Sequence, residues 1–522
     1  MNPPLSLPSE MRYLLAWALF LFAVSLALDS RHNDFPYYYH PDEPGKVEQV
    51  LTGKWNFHHP MLLLATTKAA VDLGRAPRTE QAVVETGRWV SATFMALAIV
   101  AFSLLAYAWR GWPAAVATGG ALVLNHQLFE LAHYLKEDSA LLAGLALTFL
   151  MLLACWWQPS PWRAGLLGAA CALAVSGKYL GAVAIALAVP VLWKAPGERR
   201  AVRFAAFAAG LTLTFIVVNL PLLRHLATFR DSFGREVKLV VQGQGGMTRS
   251  VPHAQYWNIF IDNTTPAIWL LLLIFLHARW RERRNVSLPE WMIIGFPFVY
   301  AVALSCSPKS NDRYFLPATA VLTLLAGLGT MDAARLFTRL TRGRFWKWGL
   351  VAAPALLILG QLPSWLRYEE AFQHDDTREL TDWLRTKVPP DAVIARDSHV
   401  RLPDPSRKKD AARVGVIPQK VVTARVPGRK RVRLVGELGT LEEIIAMGVT
   451  HVAVSESDYG RFFLTGLRPQ EGEERDFARQ KAFYTGLLRD GELVFERDRG
   501  TVIYLHPGIR VYRIAKTPSE GG

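Results

Sequence analysis

Cysteine is nearly absent: three in 522 residues. Cys155 and Cys171 fall inside apolar blocks and Cys306 at the end of one. None has ligand spacing, so a disulfide framework is not indicated. Acidic residues are also short, with 44 Asp+Glu against 59 Lys+Arg and a formal charge of +15. In a soluble protein that excess would raise the question of nucleic acid. Here much of it sits in short loops between apolar blocks, as in the cytoplasmic loops of membrane proteins. No nucleic-acid partner is expected, and anionic lipid or phosphate is the electrostatic theme. No small-residue cleavage site follows Leu28, so Tyr13–Leu28 reads as a retained anchor rather than a signal peptide.

What the sequence has in abundance is apolar residues, 51% of the total. They come in blocks long enough to cross a bilayer. Candidate spans are 12–28, 87–109, 112–130, 138–157, 162–176, 178–193, 202–223, 266–280, 288–305, 314–331 and 346–364. The pair meeting at Ser176-Gly177-Lys178 reads as two short spans or one broken hairpin, a break tolerated only against protein or a water-filled cavity. The fold class is therefore mainly α: a polytopic membrane protein of about eleven transmembrane helices, residues 1–366, followed by a soluble α/β domain, 367–522. Short loops rich in arginine (Arg110, Arg163, Arg199, Arg200, Arg281, Arg283, Arg284, Arg335, Arg339) all fall on one side if the first span runs outward. An odd span count then places the C-terminal domain outside a cell membrane that the chain crosses many times.

In that domain the pattern predicts helices at Asp376–Val388, Leu441–Met447 and Glu474–Arg489. Strands are expected at Ala392–Arg396, Lys420–Val426, Arg431–Val435, Thr450–Ser455, Leu493–Arg497 and Thr501–Leu505. The basic stretch 401–434 reads as a solvated face.

Four stretches at span ends carry chemistry. The first is Tyr37-Tyr38-Tyr39-His40-Pro41-Asp42-Glu43-Pro44-Gly45-Lys46, continuing to Phe57-His58-His59-Pro60. A carboxylate just outside a span can be a general base. Asp42 and Glu43, as helix neighbours, point about 100° apart and so do not share one task. The same residues also suit the acidic first turn of a helix after Pro41. His40, His58 and His59 match no closed metal spacing, so a divalent metal is not favoured and no cofactor is expected. The second stretch is His133-Tyr134-Leu135-Lys136-Glu137-Asp138-Ser139, three consecutive charges that are costly near lipid unless they face a cavity. The third is Gly177-Lys178-Tyr179, a lone lysine at a break, suited either to snorkelling or to a phosphate. The fourth runs from Ser307 through Lys309 and Arg313-Tyr314 to Pro317.

Under this topology all four meet at the outer face, acids opposite cations. A carboxylate base facing cations that hold a phosphate suits group transfer from a lipid phosphate, whose leaving group needs neutralising rather than an acid. The candidates are Asp42, Glu43 and Asp138 for catalysis, with Asp42 as base. Lys178, Lys309, Arg313 and Tyr314 are assigned to the donor phosphate, and His40, His59, Lys136 and Glu137 to substrate contact.

These stretches, in this order, resemble the GT-C glycosyltransferases, the group with the protein O-mannosyltransferases and the aminoarabinose-to-lipid A transferases. Asp42-Glu43 matches the acidic pair of their first outer loop. His59-Pro60-Met61-Leu62 matches their His-Pro-Pro-Leu lead-in, without the second proline. Arg88, Glu137-Asp138, Lys178-Tyr179 and the Lys309…Arg313-Tyr314…Pro317 element match in turn. The resemblance covers about residues 10–365. It implies a GT-C-like fold, a polyprenyl-phosphate sugar donor, transfer on the exterior or periplasmic side of a bacterial inner membrane with the C-terminal domain on that side, inversion at the sugar carbon, and a lipid, glycan or protein acceptor. The alternative is a transporter or flippase for a lipid-linked or anionic solute. That reading calls for matching broken segments in two halves and charges at mid-membrane. The sequence shows one break, near Lys178, and charges at span ends.

Overall fold

The computed structural model describes residues 8–37, 39–195, 199–243, 247–249, 261–309, 311–402, 417–424, 434–499 and 504–515. The chain forms two compact units, one comprising 1–241 and 251–366, the other 242–250 and 367–522.

The first unit is helical. Its helices are α1 (Pro8–Asp29), α2 (Glu43–Thr52), α3 (Leu62–Leu73), α4 (Glu80–Arg110), α5 (Trp112–Val123), α6 (His126–Ala132), α7 (Asp138–Trp157), α8 (Pro161–Gly177), α9 (Val183–Lys194), α10 (Arg200–Val218), α11 (Leu220–Arg224), α12 (Leu226–Gln242), α13 (Pro266–Arg281), α14 (Leu288–Ser305), α15 (Leu316–Leu340), α16 (Trp346–Leu359) and α17 (Leu362–Phe372), the last running on into the second unit. Among the described residues seven helical segments are long and apolar enough to cross a membrane. Each of the eleven expected spans coincides with helix, and seven of them overlap one of these segments. Span 112–130 breaks where Asn125 caps α6, its side chain accepting from Gln127 N at 3.1 Å and Leu128 N at 3.2 Å. Span 202–223 ends at Val218, before α11, and 178–193 is a short turn followed by α9.

Local signals set the ends. Thr79 caps α4 by accepting from Ala82 N, Ser160 caps α8 by accepting from Arg163 N, and Ser287 with Glu290 forms a capping box on α14. Each cap satisfies backbone donors that lipid cannot. Packing rests on small residues: a Cβ on Gly168 of α8 would stand 2.1 Å from Phe207 O of α10, so these helices touch backbone to backbone. Large apolar side chains such as Leu213, Val217, Leu273, Val299 and Val351 remain exposed, as expected of a lipid-facing surface.

The second unit is built on a five-stranded sheet ordered β3-β2-β4-β7-β6, where β2 is Val393–Arg396, β3 Lys420–Val422, β4 His451–Ser455, β6 Glu492–Arg497 and β7 Ile509–Arg513. β3, β2 and β4 are parallel; β7 and β6 are antiparallel. All five residues of β4 are buried, as a central strand requires. One face packs on helix Asp376–Lys387 through Leu380 and Leu384, the other on helix Glu474–Asp490 through Phe483, Tyr484 and Leu487. A separate ribbon joins β1 (Met247–Arg249) to β5 (Leu467–Pro469), antiparallel. Of the last expected strand, Thr501–Leu505, residues 501–503 lie outside the described residues and Tyr504 and Leu505 lie in a turn; the strand that pairs with Glu492–Arg497 is Ile509–Arg513. Residues 431–433 and most of 401–434 lie outside the described residues, as do Tyr38 and Ser310.

Candidate active site

Asp42 and Glu43 open α2 and part at once. Asp42 is the N-cap residue without a side-chain cap bond. Its backbone N–H donates to His40 Nδ1 at 3.2 Å, and its carboxylate accepts from the Lys136 ammonium. Glu43 turns inward. Arg88 of α4 grips it with a fork, Nε to Oε1 at 3.0 Å and Nη2 to Oε2 at 2.7 Å, and Leu135 N donates to Oε1 at 3.0 Å. Both side chains are fully buried. Arg88 also donates to Asn33 O and Phe35 O and lies 3.5 Å over the Phe35 ring. Glu43 is thus enclosed in a clamp that ties the first loop, α4 and the second loop together, whereas Asp42 stays 40% exposed.

The second loop supplies three consecutive charges with three destinations. Lys136 reaches Asp42. Glu137 pairs with Lys46 at 2.7 Å and lies 3.9 Å from His59 Nε2. Asp138, the first residue of α7, accepts from Lys178 Nζ at 2.7 Å. Lys178 is placed by the break: α8 stops at Gly177, Lys178 is extended, and a 3-10 turn follows at Tyr179–Ala182. A Cβ on Gly177 would stand 2.5 Å from Leu141 N, so only glycine lets the break lie on the first turn of α7.

Lys178 Nζ also sits 4.5 Å over the Tyr314 ring, with the Arg313 guanidinium 5.5 Å from the same ring. Asn311 and Asp312 side chains accept from Arg313 N at 3.2 and 2.7 Å, fixing this short turn. Lys309 stands apart from that trio, donating to Glu236 Oε2 of α12 at 2.9 Å. The histidines are dispersed: His40 packs against the Tyr134 ring, His58 lies 3.5 Å from Glu236, and His59 faces Glu137. No three His, Cys, Asp or Glu among the described residues form a metal-holding group.

Charge states follow from these contacts. Burial works to raise the Asp42 carboxyl, but Lys136, His40, Lys46 and Arg313 outweigh it and hold it well below the ordinary range. Burial likewise opposes Glu137, and His59, Lys46 and Lys136 keep it ionised. Burial and Arg313 pull Lys136 down, while Asp42, Glu137 and Asp138 hold it above its usual value. Burial, helped by Lys136, pushes His40 well down and His59 to about 4, so both rings are neutral at pH 7. For Glu236, burial is overcome by His58 and Lys309, which bring it to about 2.

Three residues to which the sequence reading gave no role complete the site. Lys46, 4% exposed, joins Leu135 O at 2.8 Å to Glu137. Asn219, fully buried, accepts from Met61 N at 3.1 Å and donates to Ser176 Oγ at 2.6 Å, fastening the first loop to the helix break. Glu236 lies on α12, whose apolar residues recur at Phe229, Phe233, Val237 and Val240; that period was the available signal for a surface helix between the expected spans 202–223 and 266–280.

No family model matches the sequence, and no curated protein sequence matches it. Solved structures do match. Crystal structures of ArnT from Cupriavidus metallidurans, one in the apo state and one bound to undecaprenyl phosphate, each align over 97% of this chain and 98% of theirs, with a TM-score of 0.52 and 14% identity. The chain has the ArnT fold. The mainly α, polytopic architecture expected from the sequence is therefore the one observed, and both units lie within the ArnT-like extent.

Proposed function

We propose that this protein is an integral-membrane glycosyltransferase that moves a sugar from a polyprenyl-phosphate donor to an acceptor at the outer membrane face. One observation carries the reading: residues 136–138 of a single loop join a base-side pair, Asp42–Lys136, to a cation side, Lys178–Tyr314–Arg313 through Asp138. The ArnT fold and the undecaprenyl phosphate bound to one ArnT structure support the donor class. An apolar groove of about 390 Å³, lined by Leu180, Val183, Leu187, Trp291, Phe296 and Tyr300, starts two residues beyond Lys178 and suits a prenyl chain.

In this reaction the acceptor oxygen attacks the sugar carbon from the face opposite the phosphate. The new carbon–oxygen bond forms as the sugar–phosphate bond breaks, which inverts the centre. Asp42, ionised and half exposed, takes the acceptor proton. Lys178, Arg313 and Lys309, with the Tyr314 hydroxyl, neutralise the departing phosphate. Asp138 and Glu236 hold two of these cations in place until the donor's phosphate takes over. Glu43 fixes the loop that carries the base. His40, His59 and Glu137 line the acceptor side as neutral donors and a charged acceptor.

The test is incubation of purified protein with radiolabelled polyprenyl-phosphate sugars and extracted membrane lipids, glycans and proteins. Label in one acceptor fraction, lost with Asp42→Asn, supports the reading; donor uptake into vesicles without transfer would replace it with a flippase. Sidedness is tested by an impermeant thiol reagent on intact cells. Native Cys306, exposed at the end of α14, should react, as should Glu456→Cys after Cys306 is removed.

A further inference from the structure

We propose a phospholipid headgroup site at the membrane face opposite the active site, formed by Trp109, Arg110, Arg279 and Asp332. Arg88 and Arg110 lie on the same helix, 22 residues apart, which at the rise of an α-helix is ~33 Å, about one bilayer core. The end of α4 there meets the ends of α13 and α15. Arg110 Nη1 is 3.5 Å and Arg335 Nη1 3.3 Å from the same oxygen, Asp332 Oδ1. Arg279 pairs with Glu282 at 2.7 Å and lies over the Phe275 ring, which packs edge-on to Trp109. Arg279, Arg335 and Glu282 all lie within electrostatic reach of both Arg110 and Asp332.

Two properties of this cluster point to a ligand. Three guanidinium groups face two carboxylates, leaving one positive charge. Its buried polar atoms are also under-satisfied: among the described residues Trp109 Nε1, Arg110 Nη2 and Arg279 Nε have no acceptor, and Asp332 Oδ2 has no donor. Arg110, Arg279 and Asp332 are each nine-tenths buried or more. Unpaired buried donors of this kind are costly. The rim is open, with Arg335 57% and Glu282 51% exposed. Three orphan donors, one orphan acceptor and one excess positive charge describe a phosphodiester bearing a hydrogen-bond donor of its own. Phosphatidylglycerol has that chemistry: the phosphate accepts from the arginines and the indole, and a glycerol hydroxyl donates to Asp332. Phosphatidylethanolamine offers the same donor without the net charge. Phosphatidylcholine offers no donor, and free phosphate no lipid chain. Basic pockets between helix ends on the positively charged face are where such headgroups bind.

The experiment uses the full chain in detergent, scoring thermal midpoint and lipid retained in native mass spectrometry. Phosphatidylglycerol, phosphatidylethanolamine and phosphatidylcholine of identical chains are added, and inorganic phosphate separately. Phosphatidylglycerol should bind at least fivefold more tightly than phosphatidylcholine and raise the midpoint more. Trp109→Phe, which keeps the ring and removes one donor, and Asp332→Asn should each cut that preference severalfold. Arg110→Gln should abolish it. Equal binding of the three lipids, a preference unchanged in the folded Trp109→Phe and Asp332→Asn variants, or an equal response to inorganic phosphate would overturn the proposal. The readout involves no sugar transfer, so it stands or falls apart from the catalytic reading.

Discussion

Glu43 and Arg88 are locked carboxylate to guanidinium, 2.7 and 3.0 Å apart at the two prongs, with neither side chain reaching solvent. Breaking a buried pair of this kind by removing one partner costs about 3–5 kcal/mol, because the other charge stays behind. Arg88→Ala is therefore expected to lower the thermal midpoint sharply and to lose activity together with folding. Normal stability with lost turnover in Arg88→Ala would contradict a structural role.

Asp42 should behave in the opposite way. It is 40% exposed and its partner Lys136 has Glu137 and Asp138 beside it, so Asp42→Asn leaves no isolated buried charge. Single-turnover transfer should fall by roughly a hundredfold or more, with donor binding and melting nearly unchanged. Because its cation neighbours hold Asp42 well below the ordinary carboxylate range, the rate should show no acid limb from this group between pH 5 and 8. Near-normal transfer in Asp42→Asn, with loss in Asp138→Asn, would move the base to Asp138.

Lys178 and Lys309 should separate by partner. Lys178→Met leaves Asp138 buried without its cation, whereas Lys309→Met leaves Glu236 partly exposed. Both should weaken donor binding by on the order of a few kcal/mol, but only Lys178→Met should also cost stability. Pairing it with Asp138→Asn should restore the melt and not the binding. Donor affinity unchanged in Lys309→Met would reduce that lysine to an anchor for α12.

Acid should unfold the first unit earlier than its ordinary carboxylates would. His59 and His133 are both pushed to about 4, chiefly by burial. For His133 burial prevails over two carbonyls, Phe129 O and Arg31 O, which lie 2.7 Å from its ring nitrogens and favour the charged form. Between their folded value and the ordinary 6.5, the unfolded chain binds more protons, so stability rises with pH across that window, by at most ~1.4 kcal/mol per unit for each ring. Glu236, held at about 2, adds stability present above its ordinary value of 4.5 and lost as pH falls toward 2. The difference in melting midpoint between the wild type and His59→Gln isolates this ring: from pH 4 to 6.5 the wild type should gain on the variant as pH rises, and above that the difference should level off. A wild-type advantage that shrinks over pH 4 to 6.5 would reverse the sign argued here.

Much of this was legible in the sequence because it rests on local rules. Apolar blocks gave helices, and small residues before Lys178 marked the break. The divergence of Asp42 and Glu43 needs only helix geometry. What stayed hidden depends on residues far apart in the chain. Lys46 looks like an ordinary helix lysine until Glu137, 91 positions later, meets it. Asn219 reaches Met61 across 158 positions and Ser176 across 43. Breaks inside the apolar blocks were hidden because hydropathy continues across positions such as Asn125, where a side-chain cap ends one helix and starts another. Strand Ile509–Arg513 was missed because its Ile-Arg-Val-Tyr-Arg order departs from strict alternation, with Val511 and Tyr512 both buried.

The strand Met247–Arg249 comes from the middle of the chain and pairs with Leu467–Pro469, so the second unit draws on two separate stretches of sequence. It is consequently not a detachable cassette. A gene cut after Leu366 would strand three residues whose ladder partner had been discarded, and a graft of 367–522 onto another carrier would arrive without one edge of its ribbon. Any exchange of tails between proteins of this architecture has to trade both stretches together.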